Sequence, residues 1–127
     1  MPYATQFEGA PAVMAQTGGS AFPLADDYAI IRWLQDNGYA ELSTSAATHG
    51  YLPLFERDSS IHAQVATGVR TYKRHFGRAP ESFWLPECAY RPGYVREDGQ
   101  HKPGLEQFLA DQGLLVFFVE TNAILGG

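Results

Sequence analysis

A single cysteine, Cys88, among 127 residues leaves no partner for an intramolecular disulfide, and nothing points to an oxidising compartment. The N-terminus has no basic stretch followed by an apolar core, so no secretory signal is expected. The longest apolar run, Leu114 to Val119, is far too short to span a bilayer. A cytoplasmic protein with no membrane association is the expectation. Positive charge is also scarce: 9 Lys and Arg stand against 14 Asp and Glu, for a net charge of −5. The densest basic group, Arg70, Lys73 and Arg74, reads as a solvated helix face. A nucleic-acid partner is therefore disfavoured, because phosphate binding needs clustered Lys and Arg. A neutral polymer requires no such match. No glycine-rich phosphate loop is present, so no nucleotide cofactor is indicated. The 4 histidines lack helical or strand-like pair spacing and the lone cysteine cannot build a zinc cage, so no metal site is expected.

Aromatic residues, by contrast, are plentiful, and the pattern sharpens after a lead-in. Residues 1–25, rich in Ala, Gly, Pro, Ser and Thr, read as a loop or poorly ordered stretch. Asp26 or Asp27 is placed to cap a helix with Ile30, Trp33 and Leu34 on one face and Gly38 as its stop. Ala40 to Ser45 reads as a weak strand. Asp58 or Ser59 is expected to cap the clearest helix, in which Ile61, Val65, Val69, Tyr72 and Phe76 recur at helical spacing until Gly77. Ser82 to Leu85 is a compact strand, and Pro86 biases Leu85 toward an extended backbone. A Pro/Gly-rich loop is expected from Arg91 to Pro103. Leu105, Phe108 and Leu109 mark a short helix stopping at Gly113, and Leu114 to Val119 suit a strand buried on both faces. Helix and strand alternate throughout, which predicts an α/β fold of parallel strands with helical crossovers. Three strands cannot close a barrel, so the chain reads as an arc of one.

Functional groups in parallel α/β folds collect beyond the carboxyl ends of the strands. Two segments fall there: SAATHGYLPLF, Ser45 to Phe55, and WLPECAYRPG, Trp84 to Gly93. Glu87 follows a strand end beside Trp84, Pro86 and Tyr90, surroundings that hold a carboxylate rigidly and set a sugar ring against aromatic faces. Glycoside chemistry uses such a carboxyl group, as nucleophile or as proton shuttle. A turn glutamate paired with Arg91 fits the same position. His49 offers one donor and one acceptor to a sugar hydroxyl or a carboxylate, and a loop histidine satisfied by backbone fits equally. His62 and His75 lie on the long helix and read as structural, His101 gives no functional signal, and Cys88 reads as a small apolar residue.

These two segments carry a family resemblance. TSAATHGYLPLF, from Thr44, resembles the second conserved region of glycoside hydrolase family 57, branching-enzyme type, and WLPECAYRPG resembles the third. The intervening IHAQVATGVRTYKRHFGRAP and the later GLEQFLADQGLLVFFVET are similar to that family in order and spacing, so that the likeness covers roughly residues 28–127. It implies a retaining enzyme acting on α-glucan polysaccharide, with residues 26–127 forming a partial (β/α)7, TIM-like barrel and needing no cofactor. By the same resemblance Glu87 matches the catalytic nucleophile, His49 matches a histidine lining the donor site, and Trp84 and Tyr90 fall within the nucleophile motif as substrate-binding candidates. A branching enzyme of this kind cleaves an α-1,4 bond, keeps the chain on the nucleophile as a glycosyl ester and passes it to a 6-hydroxyl.

Two regions of the family are not found in the sequence: the histidine-rich motif of the opening strand and the region of the acid/base Asp. The isolated 127 residues are thus expected to be inactive or nearly so. Edge strands left open by a partial barrel invite self-association. An α-amylase or 4-α-glucanotransferase of the same family, and a non-catalytic glucan-binding or remnant fragment, are the alternatives. A metal-dependent deacetylase on a similar barrel is disfavoured by the lack of paired ligands.

Overall fold

In a computed structural model, residues 27–125 are described, and the expected lead-in lies outside them. The chain divides into two compact units, Met1–Leu42 and Ser43–Gly127. In the first, helix α1 spans Asp27–Asp36. Ile30, Trp33 and Leu34 are half-buried whereas Ile31 and Arg32 are exposed, as the spacing predicts. Gly38, at φ 75°, ends the helix. Its N–H reaches the Gln35 carbonyl at 3.0 Å and the Tyr39 N–H reaches Leu34 at 2.8 Å, so two otherwise orphaned carbonyls are satisfied by a left-handed glycine cap.

The second unit is built on three parallel strands, β1 (Thr44–Ser45), β2 (Ser82–Trp84) and β5 (Val116–Phe118), in the order β1-β2-β5. Register places Thr44 beside Phe83 and Phe83 beside Phe117, and in the next row Ser45, Trp84 and Phe118. The first strand is shorter than the expected Ala40–Ser45, because only Thr44 and Ser45 pair with β2. Helix α2 (Asp58–Phe76) connects β1 to β2 and buries Ile61, Val65, Gly68, Val69 and Tyr72, an i, i+4, i+7, i+8, i+11 stripe. Helix α3 (Leu105–Asp111), between β2 and β5, buries Leu105, Phe108 and Leu109. Ile61, Val65 and Val69 of α2 and the three α3 residues meet Leu52, Phe83, Leu85 and Leu114 in one core on a single face of the sheet.

Three expectations are corrected. The N-cap of α2 is Arg57, in extended conformation, and no side chain caps it. Its carbonyl accepts the Ser60 and Ile61 N–H groups, while Asp58 enters the first turn and binds Lys102 Nζ at 2.8 Å. A carboxylate in that turn suits the helix dipole without capping. Second, the strand ending the chain's alternation is not buried on both faces. Val116 is 52% exposed and Phe118 44%, because helices α2 and α3 cover one face only. Third, the middle of the Pro/Gly-rich loop folds into an antiparallel hairpin, β3 (Tyr94–Val95) with β4 (His101–Lys102). Gly99 turns it at φ 81°, and the Asp98 carboxylate accepts the Gln100 N–H at 2.9 Å. Lys102, almost fully buried, also donates to the Glu56 carbonyl at 3.0 Å, which ties the hairpin to the start of α2. A last helix, α4 (Thr121–Leu125), follows β5. No described helix is long and apolar enough to cross a membrane.

Candidate active site

Because β1 and β2 are parallel neighbours, the loops leaving their carboxyl ends lie side by side. The β1 loop carries His49 and the β2 loop Glu87. The two side chains approach to 3.5 Å, from His49 Nε2 to Glu87 Oε1, a close polar contact longer than a tight hydrogen bond. Both are well exposed, at 59% and 70% of their side-chain surface, so incoming ligand can reach each of them.

The backbone under both residues is strained. His49, Glu87 and Cys88 have φ values of 55°, 57° and 51°, and they are the described non-glycine residues in the left-handed region. Each such residue costs about 1–3 kcal/mol and persists only where its surroundings over-determine it. Around Glu87 they do. Leu85 is extended before Pro86, as the proline predicts. The Cys88 N–H reaches back to the Leu85 carbonyl at 2.8 Å, and the Ala89 N–H reaches Pro86 at 3.2 Å. On the other loop the His49 N–H binds the Ala46 carbonyl at 3.1 Å. Left-handed backbone therefore falls on two residues brought into contact from separate loops.

Trp84 ends β2 and is 47% exposed on the uncovered face of the sheet. Its ring lies 5.4 Å from that of Phe118, tilted by 35°, and the Ser45 hydroxyl donates to the Trp84 carbonyl at 2.8 Å. Trp84 and Phe118 thus form an exposed aromatic surface on the strand that leads to Glu87. Phe118 escaped the sequence reading; strand alternation in Val116–Phe118 was its only signal. Tyr90 is placed differently. Its ring stacks on Phe117 at 5.9 Å, and its hydroxyl donates to Glu106 Oε2 at 2.6 Å. Phe117 and Phe118 are successive strand residues and point to opposite faces, so the structure does not bring Trp84 and Tyr90 together. Arg91, the alternative partner for Glu87, sits over the Tyr94 ring at 4.9 Å. Among the described residues no group of three His, Cys, Asp or Glu side chains is arranged to hold a metal ion.

Partial burial, then the Glu106 carboxylate accepting its hydroxyl, raises the Tyr90 pKa from 10.0 to about 12. The raised value means that the folded state holds the proton more tightly. The Tyr90 contribution is therefore complete below pH 10 and is lost as pH rises through about 12. Tyr90→Phe is expected to cost about 1 kcal/mol at neutral pH, somewhat less than a hydrogen bond to a charged group usually contributes, because the pair is partly solvated. Urea unfolding measures that cost. In an alkaline absorbance titration the variant should lack one tyrosine titrating near pH 12, and loss of an ordinary tyrosine instead would contradict the assignment.

A parallel α/β scaffold with a strained glutamate and histidine in contact beyond its strand ends, beside exposed aromatic rings, suits carbohydrate chemistry. The chain belongs to glycosyl hydrolase family 57, whose profile matches residues 28–126. It is similar to the 1,4-alpha-glucan branching enzyme TK1436 of Thermococcus kodakarensis, with 56% identity over 98 aligned positions and coverage of 74% of this chain and 14% of that enzyme. The crystal structure of TK1436, in complex with glucose and additives, matches with a TM-score of 0.67 at 52% identity, over 75% of this chain and 18% of that one. The GH57-type branching enzyme from Pyrococcus horikoshii matches with a TM-score of 0.72 at 48% identity, over 79% of this chain and 20% of the other. The chain therefore spans a small part of the length of the relatives it resembles.

Proposed function

We propose that this chain is the nucleophile-bearing segment of a retaining α-glucan-active enzyme, of the 1,4-α-glucan branching type. The observation that carries the reading is the 3.5 Å approach of His49 to Glu87, both on left-handed backbone beyond adjacent parallel strands. Residues 26–127 would form an arc of a (β/α)7 barrel, with the Trp84–Phe118 face turned to its interior. Self-association through the exposed barrel edges is part of the same proposal for the isolated chain.

In the reaction, Glu87 Oε attacks the anomeric carbon as the α-1,4 bond to the leaving 4-hydroxyl breaks, and a glycosyl ester forms with inverted configuration. The leaving oxygen takes its proton from a second carboxyl group. By the family resemblance that group is expected outside these 127 residues. A 6-hydroxyl of another glucan then attacks the ester and gives its proton to the same group, which regenerates Glu87 and the original anomeric configuration. His49 donates a hydrogen bond to the bound sugar or to the Glu87 carboxylate. Trp84 and Phe118 offer apolar faces to the pyranose rings, and exclusion of water favours transfer over hydrolysis. Tyr90 supports the loop from the core side rather than meeting the sugar. The 127 residues alone lack the proton donor, which typically supplies about 10²–10⁴-fold, and are proposed to be inactive or nearly so.

An α-amylase or 4-α-glucanotransferase would share every group named here and differ in the acceptor, water or a 4-hydroxyl. Linkage analysis of products from the full native polypeptide that carries these residues separates the three. New α-1,6 linkages are expected. Shortened linear chains or redistributed α-1,4 chains would replace branching by one of the alternatives, and glucan affinity without turnover would favour a non-catalytic segment.

A further inference from the structure

We propose that Gln64, on α2, is the positioning residue for His49, an inference that rests on reading His49 and Glu87 as members of one site. Both polar atoms of its carboxamide bind the loop. Oε1 accepts the Thr48 N–H at 3.0 Å, and Nε2 donates to the Thr48 hydroxyl oxygen at 2.8 Å. The Gln64 backbone carbonyl accepts the Ala47 N–H at 3.1 Å. One helical residue therefore fastens both residues that precede His49.

The strain explains why such a fastening is needed. His49 is held at φ 55°, and its own N–H bond to Ala46 is a local turn contact that cannot by itself select a left-handed backbone. A loop free to relax would return His49 to the ordinary regions and swing the imidazole away from Glu87. Gln64 lies one helical turn before Gly68, so both occupy the same face of α2. Gly68 lets that face approach β1, where the Thr44 hydroxyl donates to the Gly68 carbonyl at 3.0 Å. Gln64 then grips the loop that leaves the strand. The close approach and the clamp act together, and a shorter side chain at position 64 would leave the Thr48 N–H without its partner.

The test uses the full native polypeptide. Gln64→Ala is expected to lower kcat/KM by about 10–100-fold, mostly in kcat, the range for a misplaced group beside the reacting atoms. Gln64→Glu should restore most of it, because a carboxylate accepts from both the Thr48 N–H and its hydroxyl. In a His49→Ala background, Gln64→Ala should add almost nothing. Independent losses in the double variant, or no rescue by Gln64→Glu, would overturn the proposal. A readout without turnover guards against misfolding: with 13C-labelled histidine, the His49 ring signal, assigned by its loss in His49→Ala, should move in Gln64→Ala while those of His75 and His101 stay. An unmoved His49 signal overturns the proposal; movement of all three marks general unfolding, and Thr48→Val, which keeps the N–H bond and removes the hydroxyl, must then move His49 alone or the proposal falls. If His49→Ala itself is fully active, the reading of the site fails instead, and a moved ring signal in Gln64→Ala still leaves Gln64 as the anchor of that loop.

Discussion

Glu87→Gln in the full native polypeptide is expected to lower glucan transfer by about 10⁴-fold or more, the scale on which removal of a covalent nucleophile acts. The neutral amide is nearly isosteric but is a poor nucleophile at the anomeric carbon, so no glycosyl ester forms. Glucan affinity should change little, since the exposed rings of Trp84 and Phe118, proposed to meet the sugar, are untouched. Stability should change by less than about 0.5 kcal/mol, because the side chain is mostly in solvent. Acid-quenched peptide mass spectrometry provides the direct check. The peptide containing Glu87 should carry added hexosyl mass in the parent enzyme and none in the variant. Retained transfer would remove Glu87 from the chemistry. Glu87→Gly adds a second diagnostic. Relief of left-handed strain, about 1–2 kcal/mol, exceeds the entropic cost of glycine, about 0.5–1 kcal/mol, so this variant should be dead yet slightly more stable. A residue kept for folding would show the opposite sign.

Gly68→Ala is expected to destabilise the second unit by about 2–3 kcal/mol, with a Tm lowered by roughly 10–15 °C. The sign is the informative part. Alanine in a helix interior normally stabilises by about 0.5–1 kcal/mol relative to glycine. Here a Cβ would collide with the Ser45 carbonyl oxygen, a backbone atom held by the β1–β2 pairing, so neither side yields cheaply. The helix must lift from the strand, and the Thr44–Gly68 bond and the Gln64 clamp lift with it. Denaturant unfolding with unchanged slope would measure the cost. A variant as stable as the parent would mean that α2 does not approach β1 this closely.

Much of the scaffold was legible because its causes are local. The spacing of Ile61, Val65, Val69 and Tyr72 marks a helical stripe whatever it packs on, and Gly38 and Gly77 adopt the left-handed caps that only glycine takes readily. Pro86 restricts Leu85 without help from the rest of the fold. The hairpin within residues 94–102 was also locally signalled, by Asp98-Gly99, but the surrounding prolines and glycines read as plain loop. The cap of α2 was misread for a different reason. Asp58 has the chemistry of a cap, but it lies inside the first turn with its carboxylate on the distant Lys102.

The sequence by itself determined the alternation of helix and strand, the two strand-end segments and the residues of family 57 that they contain. Tertiary structure alone decided how these parts face one another. Parallel pairing of β1 with β2 set His49 against Glu87, and the register of β5 put Phe118 beside Trp84 while Tyr90 went to the other face with Phe117. It also left Val116 and Phe118 exposed where an apolar run had suggested burial, and it made Gln64 matter. The reason is physical. Propensity and turn chemistry act over a few residues, but strand register, side-chain contact and tolerated backbone strain arise only when distant segments share one core.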